Sequence, residues 1–485
     1  MLALAQGCAG WPLRSHPGSQ RAALSLYLRG LMLERSSSLP DALDAYEQAA
    51  AHDASSPFLH VRIGATQVRL GKPDQALKSF QRALAADPEN HEAWRWIAML
   101  HTSQGNLDAA IRAYQRLAEQ QPSDQFLLST LADLYVLQGD LTQAASLYEQ
   151  LVRQDDASAQ LHFNLGVLYG RLNQFASAVQ ELSRAVALSP DSSDMRVALG
   201  LTYEINHQPN DAVQQYEEAI RLDPLNPRVY HHAARVYAAQ DRWPDAVADY
   251  QAILDLAPKD LEAVNGLVQA WIAQRKFGEA QGLLAQQLAI SDRQTELYIL
   301  LGVLYQEAKA PLEAVRAFEQ AIALRETAVA QFYCGAQLAQ LGRPVDARTA
   351  LERAIELDPS HADALNYLGY LDIDDGVNLQ QAKGLVERAL AIDPDNGAYV
   401  DSLGWAHFKL GNLPEAIRQL ERAAQLLQTD PTIFVHLGEA YAKRGDAARA
   451  QQAWEKALGM DATLDVVRYK LDTLTDRRAR EVKVP

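Results

Sequence analysis

The sequence predicts an all-α protein, a right-handed α-solenoid of about thirteen helical hairpins followed by one capping helix. Three observations predict it: a 34-residue period, helical stripes of apolar residues within each period, and glycines placed where helices would end. Length alone would suggest roughly three domains. A repeat of this kind instead builds one continuous stack, in which each unit contacts its neighbours.

The period is carried by columns of small residues. Alanine recurs at intervals of 33 to 35 residues from Ala42 to Ala450, and a column of glycine or alanine lies twelve residues before most of these, from Gly30 to Gly438. Only Val268 interrupts the second column. Small residues at this spacing let two helix backbones approach closely. Thirteen units are therefore predicted over residues 23–464.

Within each unit, apolar residues follow the spacing of two helices. Leu437 and Tyr441 lie on one stripe of the last unit, and Ala450 and Trp454 lie on a second. A glycine recurs between the stripes, as at Gly445, because it tolerates the left-handed conformation that ends a helix. Seven units carry a proline near their end, which stops the second helix. Each unit is therefore predicted to be a helical hairpin.

This pattern resembles the tetratricopeptide repeat (TPR) family over 442 of the 485 residues. It is well kept in residues 159–192 and weakest over residues 261–327, where Val268 and Gln287 replace small residues. The resemblance implies that the first helix of each hairpin lines a concave groove. It also implies that the partners are proteins or peptides.

Both ends of the chain are predicted to lie outside the hairpins. Residues 1–22 include Gly10, Pro12, Pro17 and Gly18 and are expected to form an extended, loosely ordered leader. Residues 465–480 are expected to form the capping helix, since the last repeat otherwise exposes an apolar face. The polar residues from Asp476 to Pro485 are expected to fray.

Composition and motifs narrow the function. The net charge of −16 argues against a nucleic-acid-binding surface, and no run of 18 uncharged apolar residues predicts a membrane span. Sequence motifs of the GxxxxGK[ST], HExxH and GxSxG types are missing. The adjacent His231 and His232 do not form the i, i+4 pair that zinc sites use. We therefore expect no enzyme activity, no cofactor and no metal site.

The groove positions of the TPR family bring aromatic and polar residues together in the last units. Aromatic burial would supply affinity for an extended or helical peptide, and the polar groups would fix its register. The alternative is that neighbouring first helices bury these aromatics against one another. The predicted partner-binding groove consists of Ile299, Phe332, Tyr333, Asn366, Tyr367, Tyr370, Asp401, Trp405, Phe408, His436 and Glu439.

Two further patches occupy groove positions of single or adjacent units. One, suited to a carboxylate, could instead be neutralised by acidic residues of neighbouring units, as surface pairs often are. It consists of Arg228, His231, His232 and Arg235. A third patch mixes cations and aromatics and consists of Phe58, Arg62, Arg95 and Trp96.

The start of the chain, MLALAQGC, resembles the end of a bacterial lipoprotein signal, in which Cys8 would carry the lipid. Only seven residues precede Cys8, and none of them is Lys or Arg. A lipid on Cys8 would place the protein on the periplasmic side of the outer membrane and would be its only membrane contact. Without the lipid the chain is expected in the cytoplasm.

Three segments of the C-terminal third carry a closer resemblance. ALNYLGY at 364–370, DNGAYVDSLGW at 395–405 and HLGEAYAKRG at 436–445 resemble bacterial TPR lipoproteins that include adaptors for a periplasmic C-terminal processing protease. This implies an adaptor that gathers partner proteins. Two alternatives stay open: a cytoplasmic regulatory or targeting subunit of an enzyme complex, for example with a glycosyltransferase, and a self-assembling structural protein. The oligomeric state is not predicted.

Overall fold

The computed structural model describes residues 17–481, with side chains described from residue 19 to residue 474. This part of the chain consists of twenty-seven α-helices and contains no strand. The first twenty-six make thirteen consecutive pairs, and α27 follows, so the predicted all-α array of hairpins is confirmed. The helices are α1 (Pro17–Arg35), α2 (Leu39–His52), α3 (Pro57–Arg69), α4 (Pro73–Ala86), α5 (His91–Ser103), α6 (Leu107–Gln120), α7 (Gln125–Gln138), α8 (Leu141–Gln154), α9 (Ala159–Arg171), α10 (Phe175–Leu188), α11 (Ser193–Ile205), α12 (Pro209–Leu222), α13 (Pro227–Ala239), α14 (Trp243–Leu256), α15 (Leu261–Ala273), α16 (Phe277–Ile290), α17 (Gln294–Glu307), α18 (Pro311–Leu324), α19 (Ala328–Gln340), α20 (Pro344–Leu357), α21 (Ala362–Asp375), α22 (Leu379–Ile392), α23 (Gly397–Lys409), α24 (Leu413–Leu426), α25 (Pro431–Arg444), α26 (Ala447–Met460) and α27 (Asp465–Glu481).

Contacts divide the chain into two units, between Val236 and Tyr237 within α13. The first unit contains α1–α12 and the start of α13, and its core includes the fully buried Tyr46 and Tyr216. The second unit contains the rest of α13 and α14–α27, and its core includes the fully buried Phe318. In each unit the core is a series of contacts between successive helices.

The ends differ in detail from the sequence-based expectation. Helix α1 begins at Pro17, so residues 17–22 are helical and are not part of an extended leader. Residues 1–16, including Cys8, lie outside the described residues. At the other end, α27 packs on α26 through the buried Val467 and continues to Glu481, so residues 476–481, expected to fray, are helical.

Each hairpin is held by a large side chain of the second helix that lies on a small residue of the first, sixteen positions earlier. A Cβ added to Gly302 would come within 2.3 Å of the Phe318 ring, and one added to Gly30 within 2.5 Å of the Tyr46 ring. Both rings are fully buried. The small column therefore sets how closely the two helices of a pair approach.

The loops within the pairs turn through one residue with a left-handed backbone. Seven glycines adopt this conformation, with φ between 69° and 90°. Other units use residues with a side chain, including Arg275 and Lys309, with φ of 57° and 58°. For these residues the left-handed conformation brings Cβ close to the backbone and costs about 1–2 kcal/mol.

We expect Arg275→Gly to raise the free energy of unfolding by about 0.5–1 kcal/mol. Glycine removes the left-handed strain, although part of the gain is lost to the greater entropy of the unfolded chain. Hydrogen exchange over α15 and α16 measures the change locally. Gly445→Ala, at the equivalent position, is the matched control and should reduce protection by a similar amount. Unchanged exchange in Arg275→Gly would contradict the prediction.

The stretch with the weakest repeat pattern, residues 261–327, keeps its hairpins through compensating changes. Val268 occupies the small column, and the side chain sixteen positions later is Leu284, which is smaller than the rings used elsewhere. Both are fully buried. Gln287, in another normally small position, donates from Nε2 to the Pro258 carbonyl oxygen at 2.9 Å. The deviations therefore alter packing partners and leave the helices intact.

Candidate functional site

Trp405 lies at the centre of the predicted groove residues, and both faces of its ring are covered. The indole stacks on Phe408, with ring centroids 4.6 Å apart, and on His436 of the next first helix, with centroids 4.1 Å apart. Its Nε1 donates to Asp374 Oδ1 at 3.3 Å. The side chain is only 8% exposed. Trp405 therefore packs α23 against its neighbours and does not present an open ring face to a ligand.

A buried polar pair lies beside this stack. His436 Nδ1 and Asp401 Oδ2 are 2.9 Å apart, and each residue is 5% exposed. Within the described part of the chain, Asp401 Oδ1 has no hydrogen-bond partner. Burial, assisted by the Asp374 and Asp401 carboxylates, raises the pKa of the nearby Tyr370 well above its usual range. Losing one member of such a pair is costly because the other stays buried without a partner.

A second aromatic group joins α19 to α21. The Phe332 ring lies 5.0 Å from the His361 ring and 6.3 Å, edge-on, from the Tyr367 ring, measured between centroids. Tyr333 stacks on the fully buried Phe318 at 5.5 Å. Phe332 and Tyr367 are half-buried, so part of each ring stays accessible.

The predicted groove residues thus separate into a buried and an accessible set. The buried set, in which neighbouring first helices cover the side chains, is Asp401, Trp405 and His436. The half-buried set is Ile299, Phe332, Tyr333, Asn366, Tyr367, Tyr370, Phe408 and Glu439. Of these, Ile299 and Tyr333 pack against the core around Phe318, and Glu439 accepts a hydrogen bond from Lys470 of α27. The remaining five, of which Tyr370 and Phe408 also pack with one side on the core around Trp405, are named the aromatic surface: Phe332, Asn366, Tyr367, Tyr370 and Phe408.

Charged residues outside the predicted site lie on the helices that carry the aromatic surface and on the neighbouring α20 and α25. Arg348 bonds Asp372 and Asp375 at 2.7 and 2.5 Å. Lys443 Nζ lies 4.4 Å from the centroid of the Phe408 ring, a cation–π distance. Lys409 and Lys443 both lie five residues after the glycine of the small column in their units. The spacing of the repeat could therefore have identified both lysines from the sequence. The Arg348 ion pairs thus join α20 to α21, and Lys443 places an exposed cation over a ring of the aromatic surface.

The second predicted patch, on α13, is tied to a neighbouring acid. Arg235 bonds Glu204 at 2.9 Å, and Glu204 also accepts a hydrogen bond from the Tyr216 hydroxyl at 3.0 Å. His232 stacks on the Tyr216 ring at 5.5 Å. The patch also includes Arg228, which is exposed, and His231, which is half-buried. Its one described ion pair thus agrees with the neutralised alternative.

The third predicted patch is mainly a packing site between hairpins. Trp96 stacks on the fully buried Phe80 at 5.9 Å. Phe58 meets Tyr27 edge-on at 5.1 Å, and the Arg62 guanidinium lies 5.8 Å from the Phe58 centroid. Arg95 is exposed.

One spacing explains why predicted groove residues turn out to pack. The large residue of each second helix touches its own small residue sixteen positions before, and touches the next first helix fifteen or sixteen positions after. Trp96, His232 and Tyr333 are the residues reached in this second way. They are at once groove positions and contacts between hairpins.

No reactive or metal-binding arrangement stands out in the described residues. Burial, with a smaller effect of Glu319, raises the pKa of the Cys334 thiol to about 11, which disfavours the nucleophilic thiolate. Among the side chains described, residues 19–474, no group of three or more His, Cys, Asp or Glu is placed to hold a metal ion. In the same range no helix has both the length and the apolar character needed to cross a bilayer.

Known proteins resemble parts of the chain. The TPR repeat-containing protein PA4667 of Pseudomonas aeruginosa is 37% identical over 89 residues, which is 18% of this chain and 15% of that protein's length. The crystal structure of the APC/C hetero-tetramer Cut9–Hcn1 matches 93% of this chain and 96% of its own, at 15% identity and a TM-score of 0.45. The crystal structure of MamA protein matches 36% of this chain and 96% of its own, at 25% identity and a TM-score of 0.34.

Two family profiles match the sequence. The profile "Tetratricopeptide repeat" matches residues 62–125, 129–193, 197–260 and 337–371, and the profile "TPR repeat" matches residues 404–445. Together the matches cover more than half of the 485 residues. The same ranges contain the helix pairs described above. The chain therefore belongs to the tetratricopeptide repeat family of protein-interaction scaffolds, which are generally not catalytic.

Proposed function

We propose that the aromatic surface binds a peptide segment of a partner protein. The observation that supports this is the layered arrangement of α19, α21, α23 and α25. A buried layer formed by Asp401, Trp405 and His436 packs the helices together, and partly exposed rings lie beside it. Rings held in this way lose little conformational entropy when a ligand binds.

The chemistry of the surface suits an apolar segment with hydrogen-bond donors. Phe332, Tyr370 and Phe408 supply ring area for apolar side chains, which are the usual anchors of peptide recognition. Asn366 Oδ1 is buried and has no hydrogen-bond partner in the described residues, so a turn of this side chain toward the ligand would let it accept from a ligand N–H group. Lys443, over the Phe408 ring, can pair with an acid of the ligand.

We predict that Phe332→Ala with Tyr370→Ala abolishes partner capture in pull-downs from the native organism and leaves the helical content nearly unchanged. Both side chains are half-buried, so their truncation removes ligand contact area; truncation of Tyr370 also uncovers one edge of the buried His436, whose ring lies 6.3 Å away. Phe126→Ala is the matched control, because Phe126 lies on the first helix α7 and is 71% exposed. A double variant that captures the same proteins as the wild type, with the same circular dichroism, would contradict the proposal.

We further propose that the chain is a non-enzymatic adaptor that brings two partners together on one scaffold, as a lipoprotein anchored through Cys8 on the periplasmic side of a bacterial outer membrane. Tethering raises the effective concentration of each partner for the other. The lipoprotein-like residues around Cys8 and the resemblance of residues 364–445 to bacterial adaptors support this role. Palmitate labelling and membrane fractionation, with and without Cys8→Ala, test it. A soluble, unlabelled wild type would favour a cytoplasmic regulatory subunit instead.

A further inference from the structure

Helix α1 carries an exposed apolar stripe. Leu24, Leu28 and Met32 follow the i, i+4, i+8 spacing of one helix face and are 37%, 42% and 73% exposed. The neighbouring face of α1 contributes the buried Tyr27 to the contact with α2. The exposed stripe is therefore a second apolar face of the same helix.

The repeat shows what this face corresponds to elsewhere in the chain. Met32 lies two residues after Gly30, and the residues two after the small column in later first helices are buried by the preceding hairpin. Leu28 lies two residues before Gly30, where Trp96 and Tyr333 receive a ring from the preceding second helix. The equivalents of Met32, each at most 7% exposed, include Thr66, Leu100, Leu134, Leu168 and Leu304. The exposed stripe of α1 thus occupies the positions that form the contact between neighbouring hairpins in the rest of the chain.

The charge on this face is basic. Arg35 lies five residues after Gly30, the position of Arg69, which bonds Glu34 of the preceding first helix at 2.5 Å. Lys409, at the same position of its own unit, bonds the Asp374 backbone oxygen of the preceding first helix at 2.9 Å. Within the described residues Arg35 makes no ion pair. Glu34, the single acid of α1, is already bonded to Arg69 and to the Tyr46 hydroxyl.

We propose that this face of α1 docks an acidic amphipathic helix of a partner protein. In the chain the equivalent positions are covered by helices, and two of the basic residues five after the small column, Arg69 and Lys409, bond an oxygen atom of the covering hairpin. A second copy of α1 fits poorly, because it would bring Arg21, Arg29 and Arg35 against like charges. Residues 1–16 contain no Asp or Glu, so the sequence of that segment offers no side-chain carboxylate for Arg35.

A synthetic peptide with residues 39–52 tests this proposal on the full chain. In the chain that segment is α2, which carries Asp41, Asp44 and Glu47 and packs on α3 through Tyr46 and Ala49. Fluorescence anisotropy should show saturable binding of the labelled peptide. Met32→Lys should weaken binding at least tenfold, and Arg35→Glu should weaken it severalfold and reduce its salt dependence. Leu225→Lys, a control that is also 73% exposed, should bind like the wild type.

If something other than an acidic helix covers the exposed face of α1, the experiments give a different result. Each of the following results would overturn the proposal. No saturable binding up to about 1 mM peptide, or equal binding by Met32→Lys, would show that α1 does not recognise such a helix. A dimer in sedimentation that Met32→Lys dissociates would assign the face to a second copy. Vesicles of phosphatidylglycerol that bind the wild type but not Met32→Lys, in the absence of peptide binding, would assign it to a membrane. Hydrogen-exchange protection of residues 24–32 that falls when residues 1–16 are deleted would indicate an occupant from the same chain.

Discussion

Trp405→Ala is expected to lower the free energy of unfolding of the C-terminal hairpins by about 3–5 kcal/mol, the usual range for truncating a buried tryptophan. The substitution removes two stacked contacts, with Phe408 and His436, and the hydrogen bond to Asp374. It also leaves the Asp401–His436 pair beside a cavity. Since each repeat contacts only its neighbours, the loss should appear as an early transition of α21–α25, with the rest of the chain unfolding later. Hydrogen exchange resolved by peptide measures this.

Two comparisons separate packing from binding in this experiment. Phe126→Ala removes a 71% exposed ring and should change stability by less than about 0.5 kcal/mol. Phe332→Ala with Tyr370→Ala should affect capture more than folding. If Trp405→Ala instead shows wild-type exchange over α21–α25 and loses partner capture, the ring is a ligand contact and the buried layer described above is wrong.

The array of hairpins could be predicted from sequence because the residues of the small column determine the distance between the two helices of a pair. A small residue such as Gly302 is needed where a large side chain such as Phe318 lies on the helix backbone, and this need repeats with the unit. The residues with a left-handed backbone could be predicted for a similar reason, because the short loop within each hairpin needs a residue with a positive φ. Both features depend on local geometry and one fixed spacing.

The accessibility of the candidate site could not be predicted in the same way. The repeat shows which side of a first helix Trp405 and His436 occupy, but their exposure depends on how closely α23 and α25 approach each other. The distance between these two first helices depends on the large residue that lies sixteen positions earlier, in the second helix between them. The type of that residue differs from unit to unit. Leu420 precedes His436 at this spacing, whereas Phe80 precedes Trp96. The ion pairs of Arg348 are missed because its partners lie in a different hairpin.

Gly302→Val is expected to destabilise the pair α17–α18 by about 2–3 kcal/mol, the upper part of the range for overpacking. Even the Cβ atom would lie 2.3 Å from the fully buried Phe318 ring, so the ring or the helix must move. Gly282→Ala is the matched control, because Gly282 lies in α16 with no atom within 4 Å of an added Cβ. That substitution should stabilise by about 0.5–1 kcal/mol through helix propensity alone.

The preceding hairpin indicates which second substitution should restore stability to Gly302→Val. Val268 and Leu284 occupy the equivalent positions in the preceding hairpin, where both are fully buried. Gly302→Val with Phe318→Leu recreates this pair. The free energy of unfolding lost in the double variant should therefore be smaller, by at least about 1 kcal/mol, than the losses of the two single variants added together. Phe318→Leu alone should lose about 1 kcal/mol through the cavity it leaves. Urea unfolding of the four proteins measures the coupling. Additive losses would mean that the ring and residue 302 do not share one space, and that the small column has a cause other than the ring above it.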